Sequence, residues 1–220
     1  MSLDTENEWI SAMTTRPPIS QNPRANTNER RRPLNSFASR AGRALTAVGL
    51  FFLTSHASSA FDLRGTPWEH AARSQNVDPL MLYAVALTES GRSQGRGLVR
   101  PWPWTLNVEG RAVFAESKAD AAELLAIHQG KSVDVGLLQI NSRWHGHRVD
   151  RLEALLDPET NLAVGASILK DALAANPGDL TAGIGRYHSA SPVRAKAYAR
   201  TVLALYRHLL HQKENGGASQ

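Results

Sequence analysis

The chain has 220 residues, a length that suits one ordinary domain with a leader and leaves little room for a second domain. Its apolar fraction of 42% is sufficient for a packed core and argues against a wholly disordered protein. The absence of cysteine excludes a disulfide scaffold, a thiol nucleophile and a cysteine-based zinc site.

The formal net charge of +5 is concentrated near the N-terminus. Residues 1–60 contain seven Arg and four acidic residues, which leaves the rest of the chain close to electrical balance. Nucleic-acid binding requires positive charge clustered on the folded domain, and the sequence gives little sign of it there. We therefore expect no nucleic-acid partner.

Residues 30–60 have the order of a secretory signal peptide. Arg residues come first, an apolar stretch follows at residues 44–53, and small residues occupy positions 57–60. An apolar stretch this short cannot span a hydrocarbon core of about 30 Å as a helix. We expect cleavage after Ala60 and export to the periplasm. The alternative is an uncleaved anchor close to the membrane.

Residues 1–29 are polar and rich in Asn, Pro and Thr, which is unusual ahead of a signal peptide. We predict a disordered N-terminal extension for this segment. The alternative is that translation starts further downstream.

Two helices are predicted after residue 60. Apolar residues at positions 68, 71 and 72 indicate a short first helix. Asp78 is placed to cap a second helix, with Pro79 in its first turn, and the apolar face of this helix leads to Glu89. Glycines at positions 91, 95 and 97 then predict a flexible loop.

A small β element comes next. Two short β-rich runs, residues 105–108 and 111–114, flank a Glu-Gly pair and predict a hairpin. Ser117 can cap a following helix over residues 118–128, and a glycine-containing loop is expected to hold residues 135–141.

Three further helices complete the predicted domain. They begin at Asp157-Pro158, at Asp179 and at Pro192, and the last runs to Gln212. We therefore predict an α+β fold, mostly α-helical with one small β-hairpin, over residues 61–212. A flexible tail is expected over residues 213–220.

Three segments together resemble the motifs of one known family. Residues 86–91 read Ala-Leu-Thr-Glu-Ser-Gly, residues 134–141 read Asp-Val-Gly-Leu-Leu-Gln-Ile-Asn, and residues 185–189 read Gly-Arg-Tyr-His-Ser. In order and spacing they are similar to the Glu-Ser-Gly, Gly-Leu-Met-Gln-Ile-Asn and Ala-Tyr-Asn motifs of lytic transglycosylases with a soluble-transglycosylase, lysozyme-like domain. Leu138 replaces the Met of that pattern and His188 replaces the Asn. The resemblance covers roughly residues 61–210.

The resemblance implies a lysozyme-like domain that cleaves the bond between N-acetylmuramic acid and N-acetylglucosamine in peptidoglycan, without a cofactor. Glu89 would be the single catalytic acid/base. Burial at a helix end disfavours the ionised carboxylate, which raises the pKa of Glu89 and keeps it protonated near neutral pH. After protonating the leaving oxygen, Glu89 would take a proton from the C6 hydroxyl of the muramic acid, which closes a 1,6-anhydro ring. Because water is not the acceptor, a second carboxylate is not obligatory.

The same resemblance implies roles for other residues of the motifs. Tyr187 would lie within hydrogen-bond reach of Glu89 and orient its carboxyl group. Gln139 and Asn141 would supply amide groups to the N-acetyl substituents of the substrate. Ser90 would bond either to the backbone or to substrate.

The run Pro-Trp-Pro-Trp-Thr-Leu-Asn at residues 101–107 also occurs in transglycosylases tied to envelope-spanning machines. It suggests local wall opening for a secretion, pilus or conjugation apparatus. Within this run Trp104 offers a flat face to a sugar ring, and Asn107 offers an amide to an acetamido group. The alternative for the tryptophan is packing within the hairpin.

Asp134 keeps a second reaction open. Residues 134–144 also resemble the stretch of c-type lysozymes in which an Asp precedes Gln-Ile-Asn-Ser-Arg-Trp, and that Asp is their nucleophile. A separation of about 5–5.5 Å between the carboxyl groups of Asp134 and Glu89 would permit a retaining hydrolase. We favour the transglycosylase, with Asp134 in its substrate site, because the Tyr187 motif belongs to that family. A solvated loop carboxylate is the remaining alternative for Asp134.

Two further interpretations remain. A non-catalytic wall-binding or assembly protein could retain the same groove. The stretch His145-Gly146-His147 is a weak metal candidate because it has neither cysteine nor a helix-spaced partner. We predict no metal site.

Overall fold

The structure, a computed structural model, describes residues 19–20 and 61–217, with side chains from residue 61 to residue 215. Apart from the pair Ile19–Ser20, which forms a strand, the predicted extension and signal peptide lie outside the described residues, as do residues 218–220. Over residues 61–217 the fold is α+β and mostly helical, as predicted.

The first two helices begin where their capping residues predict. Helix α1 spans Pro67–Ser74 and helix α2 spans Pro79–Ser90. The Asp78 carboxylate accepts hydrogen bonds from the backbone N–H groups of Leu80 and Met81, at 2.8 and 3.1 Å. Most of α2 is buried, so it forms the centre of the core. Its last turn carries Glu89 out of the core to the surface of a cleft.

The β structure is larger than the single predicted hairpin. In chain order the strands are β1 (Ile19–Ser20), β2 (Gly91–Gly95), β3 (Leu98–Pro101), β4 (Thr105–Val108), β5 (Arg111–Phe114), β6 (Val133–Val135) and β7 (Ile140–Asn141). They form two antiparallel sheets, one in the order β1-β3-β2 and the other in the order β5-β4-β6-β7. The predicted hairpin is the β4–β5 pair.

The prediction of a flexible loop after α2 is wrong, because residues 91–101 form the β2–β3 hairpin. Its turn contains Gly95 and Gly97, which have φ angles of 83° and 76°. The glycines therefore shape a hairpin turn. These strands lack a strict alternation of apolar and polar residues, so the sequence carried no strand signal.

The four-stranded sheet aligns three polar residues in one row. Asn107 on β4 pairs with Asp134 on β6, and Asp134 pairs with Asn141 on β7. Paired residues on adjacent strands project to the same face of a sheet. The neighbouring row is apolar and fully buried, so the sheet packs one face on the core and presents the polar row to a cleft.

The remaining helices surround the sheet and α2. They are α3 (Lys118–Ile127), α4 (Ser142–His145), α5 (Pro158–Ala174), α6 (Leu180–His188) and α7 (Pro192–Gly217), with 3-10 turns at Gly146–Arg148 and Leu152–Leu156. Helix α7 continues through residues 213–217, so that part of the predicted flexible tail is helical. Within the described ranges, no helix has the length and apolar character needed to cross a membrane.

Helices α6 and α7 approach each other closely at Gly185. A Cβ atom at this position would lie 2.7 Å from the carbonyl oxygen of Ala195, so a larger residue would push the two helices apart. This close packing sets the position of the C-terminal end of α6 and of the side chains on the facing turn of α7.

Candidate active site

A cleft of about 330 Å³ lies at the end of α2, beside the polar row of the sheet. Helices α4, α5 and α6 complete its walls. The residues that line it are Glu89, Asn107, Asp134, Gln139, Ile140, Asn141, Trp144, His145, Ile168, Tyr187 and His188. All three motif segments found in the sequence contribute to this one cleft.

Glu89 is the most buried acidic group in the cleft, with 14% of its side chain exposed. Burial raises the pKa of Glu89 to about 7, against the opposing effect of a hydrogen bond from Tyr198. The negative charge of Asp134 contributes further to the increase. A carboxyl group with this pKa carries a proton in a large fraction of molecules at neutral pH, which an exposed Glu does not.

Tyr198 on α7 makes the hydrogen bond that the sequence assigned to Tyr187. The phenolic hydroxyl of Tyr198 donates to Oε1 of Glu89 at 2.6 Å. Tyr187 instead donates its phenolic proton to the backbone oxygen of Leu138, at 2.7 Å. The prediction that Tyr187 orients Glu89 through a hydrogen bond is therefore wrong, although Tyr187 does line the cleft.

Tyr198 was not predicted from the sequence as a site residue. It is 8% exposed and shares the apolar face of α7 with Val202 and Leu209, at helical spacing. The sequence did contain one signal for Tyr198, namely a hydroxyl group on an otherwise apolar helix face. A buried tyrosine hydroxyl needs a hydrogen-bond partner, so such a residue indicates a polar contact in the core. The identity of that partner depends on how α7 packs against α2.

Asp134 and Asn141 form a second polar pair in the cleft. Asn141 Nδ2 donates to Asp134 Oδ1 at 2.7 Å. Burial raises the pKa of Asp134, while the Asn141 hydrogen bond opposes this increase. The prediction of a direct contact between Asn141 and substrate gains no support, because its Oδ1 also accepts the backbone N–H groups of Arg143 and Trp144 as the N-cap of α4. Asn141 therefore positions Asp134 and the start of α4.

Gln139 is held in an unusual backbone conformation, with a φ angle of 46°. Its Nε2 group donates to the backbone oxygens of Thr105 and Gly136, at 3.0 and 2.9 Å. These bonds fix the side chain against the sheet and leave Oε1 as the acceptor that Gln139 can offer to a ligand.

Ser90 does not reach the cleft. Its side chain is fully buried, and its hydroxyl lies 2.7 Å from the backbone oxygen of Leu137 and 3.1 Å from that of Ala86. The interpretation of Ser90 as a substrate-binding residue is therefore wrong. Its hydroxyl joins the end of α2 to the loop that carries Gln139.

The exposed tryptophan of the cleft is Trp144 rather than Trp104. Trp104 is 4% exposed, and its ring packs edge-to-face on Trp102 with a centroid distance of 5.5 Å. Its prediction as a sugar platform is wrong, because the ring is buried and does not line the cleft. Trp144 lies on α4 at the cleft and is 70% exposed. Asn107 does line the cleft, as predicted.

His188 lies over the Glu89–Tyr198 pair. Its ring stacks on that of Tyr198, with centroids 4.5 Å apart and planes 4° from parallel. Its Nδ1 atom is 4.0 Å from Glu89 Oε1. Burial lowers the pKa of His188, the positive charge of Arg194 lowers it further, and the charge of Asp134 opposes both effects. The neutral imidazole is therefore favoured at pH 7.

Comparisons of the chain with models of known protein families, with curated proteins and with solved structures give no match in any of the three. Functional inference therefore depends on the residues of the cleft and on the motifs that supply them.

The described residues contain no group of three or more His, Cys, Asp or Glu side chains arranged to hold a metal ion. His145 lines the cleft, and burial lowers its pKa. The cleft brings together one carboxyl group that is protonated near neutral pH, a second carboxyl group, three amide side chains and an exposed indole. This set can deliver a proton to a bound polar ligand and can contact rings and amides on that ligand.

Proposed function

We propose that the protein is an exported lytic transglycosylase that cleaves the MurNAc–GlcNAc bond of peptidoglycan on a lysozyme-like domain. The observation that carries the proposal is the environment of Glu89, which is buried in the cleft wall, held by Tyr198 and has a pKa near 7. A glycosidic oxygen is a poor leaving group unless it is protonated, so the reaction needs such an acid. The convergence of all three motifs on this cleft supports the same assignment.

In the first step Glu89 donates its proton to the glycosidic oxygen as the C1–O bond breaks. Because Oε1 accepts the Tyr198 hydrogen bond, we place the reacting proton on Oε2. The leaving sugar departs with a hydroxyl group. Glu89 becomes a carboxylate, and positive charge develops at C1 of the muramic acid.

In the second step the C6 hydroxyl of the muramic acid attacks C1, and Glu89 accepts the hydroxyl proton. This closes the 1,6-anhydro ring and restores the protonated acid, so neither water nor a cofactor is consumed. The Tyr198 hydrogen bond stabilises the intermediate carboxylate, because a charged acceptor strengthens such a bond.

Substrate contacts are assigned to the other exposed groups of the cleft. The face of Trp144 suits stacking on a sugar ring, and Asn107 and the Oε1 atom of Gln139 suit the N-acetyl groups. A wall polymer is flexible, so these contacts would place the scissile oxygen near Glu89 before proton transfer.

Asp134 supports one rival function. Because it lines the same cleft as Glu89, a retaining hydrolase of lysozyme type would use Asp134 as nucleophile and water as the final acceptor. A non-catalytic wall-binding protein is the other rival. We also propose action beside an envelope-spanning secretion, pilus or conjugation apparatus, on the resemblance of residues 101–107, and a periplasmic location, on the signal-peptide order of residues 30–60.

Digestion of purified sacculi with the full-length protein, followed by mass spectrometry, separates these functions. We expect muropeptides ending in 1,6-anhydromuramic acid from the wild type and none from Glu89→Gln. Glu109→Gln is the matched control, because Glu109 is exposed in the β4–β5 turn and outside the cleft. Reducing muramic acid ends would instead identify a hydrolase, and unchanged sacculi would identify a binding protein.

A further inference from the structure

A second groove, of about 480 Å³, runs beside α6 on the side away from the cleft. It is bounded by α6, the end of α5 and the start of α7. Its lining includes Asn176 and Asp179 at one end of α6, small residues along the middle, and Arg186, Ser189 and Lys196 at the other end. A groove with a floor of small side chains and polar ends suits an extended peptide.

The positive charges of the groove are unpaired. Arg186 on α6 and Lys196 on α7 are both exposed, and neither forms an ion pair with any residue that the structure describes. In contrast, Arg92 and Arg148 outside the groove are paired with Glu116 and Asp171. Asp179 lies at the opposite end of the groove, where its Oδ1 caps α6 by accepting the N–H of Ala182. The two free cations therefore attract a negatively charged ligand to the end nearer the cleft.

The groove and the cleft share the last turn of α6. Tyr187 and His188 line the cleft, whereas Arg186 and Ser189 line the groove. A helix with its side chains is about 10 Å across, so a peptide on a sugar in the cleft needs about three extended residues, at roughly 3.3 Å each, to pass the end of α6 and reach the groove.

We propose that this groove binds the acidic peptide stem carried by the muramic acid whose glycan strand occupies the cleft, an inference that rests on the proposed function. Stem peptides carry several free carboxylates, which Arg186 and Lys196 can bind. A stem of four residues is about 13 Å long when extended, so its last residue, with a terminal carboxylate, reaches the end of the groove where Arg186 and Lys196 lie. The groove would thus make stem-bearing strands better ligands than bare glycan.

Binding can be measured without turnover in the full-length Glu89→Gln protein. The two probes are glycan strands with tetrapeptide stems and the same strands after an amidase has removed the stems. Amidase treatment leaves a lactyl carboxylate on each muramic acid, so the stem-free strands remain anionic and control for general charge attraction. The groove variant is Arg186→Gln with Lys196→Gln. The control, Arg200→Gln with Lys213→Gln, removes two exposed charges from α7 outside the groove.

We expect the groove variant to weaken binding of stem-bearing strands by about fivefold, as for the loss of two exposed charge pairs, and to leave binding of stem-free strands unchanged. The control should bind both probes as the parent does. Equal affinity of the groove variant and its parent for stem-bearing strands would overturn the proposal. Equal losses on both probes would also overturn it, because they indicate general charge attraction.

The two proposals fail in different ways. Stem-dependent binding without any 1,6-anhydro product would leave the groove assignment standing and refute the transglycosylase. Anhydro product formed at equal rates from stem-bearing and stem-free strands, with no stem-dependent binding, would refute the groove assignment alone.

Discussion

Tyr198 on α7 donates a 2.6 Å hydrogen bond to Glu89 on α2, across 109 positions of the sequence. The bond joins the central helix of the core to the C-terminal helix. It also fixes one oxygen of the carboxyl group that we propose as the catalytic acid. Tyr187, which lines the cleft, makes a different contact, since its hydroxyl donates to the backbone oxygen of Leu138.

Replacing Tyr198 with Phe should lower kcat by about tenfold to a hundredfold, because the loss of a hydrogen bond to a charged acceptor costs roughly 1.5–3 kcal/mol. The pKa of Glu89 should rise, because the bond stabilises its carboxylate, and the alkaline limb of the pH–rate profile should move to higher pH. The matched control is Tyr206→Phe on the same helix, where the hydroxyl bonds to Asp78 away from the cleft. An unchanged kcat and profile for the Tyr198 variant would refute its role.

Folding stability should depend on pH through Glu89. Burial raises its pKa from the ordinary 4.5 to about 7, so the folded protein binds more protons than the unfolded chain between these values. Stability is therefore lost as the pH rises through this window, by up to about 3 kcal/mol from this one group. The check is urea unfolding of wild type and Glu89→Gln at pH 4.5 and pH 8. Relative to Glu89→Gln, the wild type should have a lower free energy of unfolding at pH 8 than at pH 4.5. The same difference between the two proteins at both pH values would contradict the burial of this carboxyl group.

His188 should set the acidic limb of the activity profile. Burial lowers its pKa, so it gains a proton only at acidic pH, where the new charge lies 4.0 Å from Glu89 Oε1 and favours the ionised form of the acid. Among the facing groups, Arg194 opposes this protonation and Asp134 favours it, while Tyr198 stacks on the ring. We expect His188→Asn to retain more of its neutral-pH activity at pH 5 than the wild type does. Parallel losses of kcat/KM in both proteins between pH 7 and pH 5 would count against this role.

Trp144 and Trp104 should respond differently to substitution. Trp144→Ala should raise KM by about threefold to tenfold with little change in kcat, because an exposed ring contact adds roughly 0.5–1.5 kcal/mol of binding. Trp104→Ala should leave the KM of the folded protein unchanged and lower stability by about 3–5 kcal/mol, because it removes a buried ring. Steady-state kinetics and thermal unfolding of both variants check this contrast, which would be reversed if Trp104 were the sugar platform.

Gly136 should resist substitution more strongly than Gly110. Both have positive φ angles, 83° and 84°, so an Ala at either costs about 1 kcal/mol of backbone strain. At Gly136 the added Cβ would also lie 2.2 Å from Nδ2 of the buried Asn161, whereas open space surrounds Gly110. Gly136→Ala should therefore be destabilised by at least about 2 kcal/mol and lose activity through the displaced Gln139 loop. Similar unfolding free energies for the two variants would show that the loop around Gly136 accommodates the added methyl group without further loss of stability.

Local signals in the sequence predicted the helix starts and drew attention to Glu89, which lies in the cleft. Asp78 and Ser117 cap their helices as expected, and a helix begins at Asp157-Pro158 as predicted, because helix starts depend on a few adjacent residues. The β4–β5 hairpin followed from its Glu-Gly turn. Glu89 was found because its neighbours in the chain form a motif.

The remaining features depend on tertiary packing. Trp104 and Trp144 are alike as residues, and only the packing of β4 and α4 decides which ring is covered. The amide of Asn141 could bind either substrate or a neighbouring side chain, and the sequence does not distinguish these roles. The pairing of β6 with β7 places it beside Asp134, to which it donates a hydrogen bond. Tyr198 depends in the same way on the contact between α7 and α2.

The central claim is that the side chain of Glu89 holds a proton near neutral pH at the wall of the cleft. Its most direct test is a carbon-13 NMR titration of the Glu89 carboxyl carbon in the full-length protein, with the signal assigned by its absence from Glu89→Gln. We predict a titration midpoint near pH 7, moving upward in Tyr198→Phe. A midpoint near 4.5, as for an exposed glutamate, would contradict the account, because the group could not then supply the proton that the proposed reaction requires.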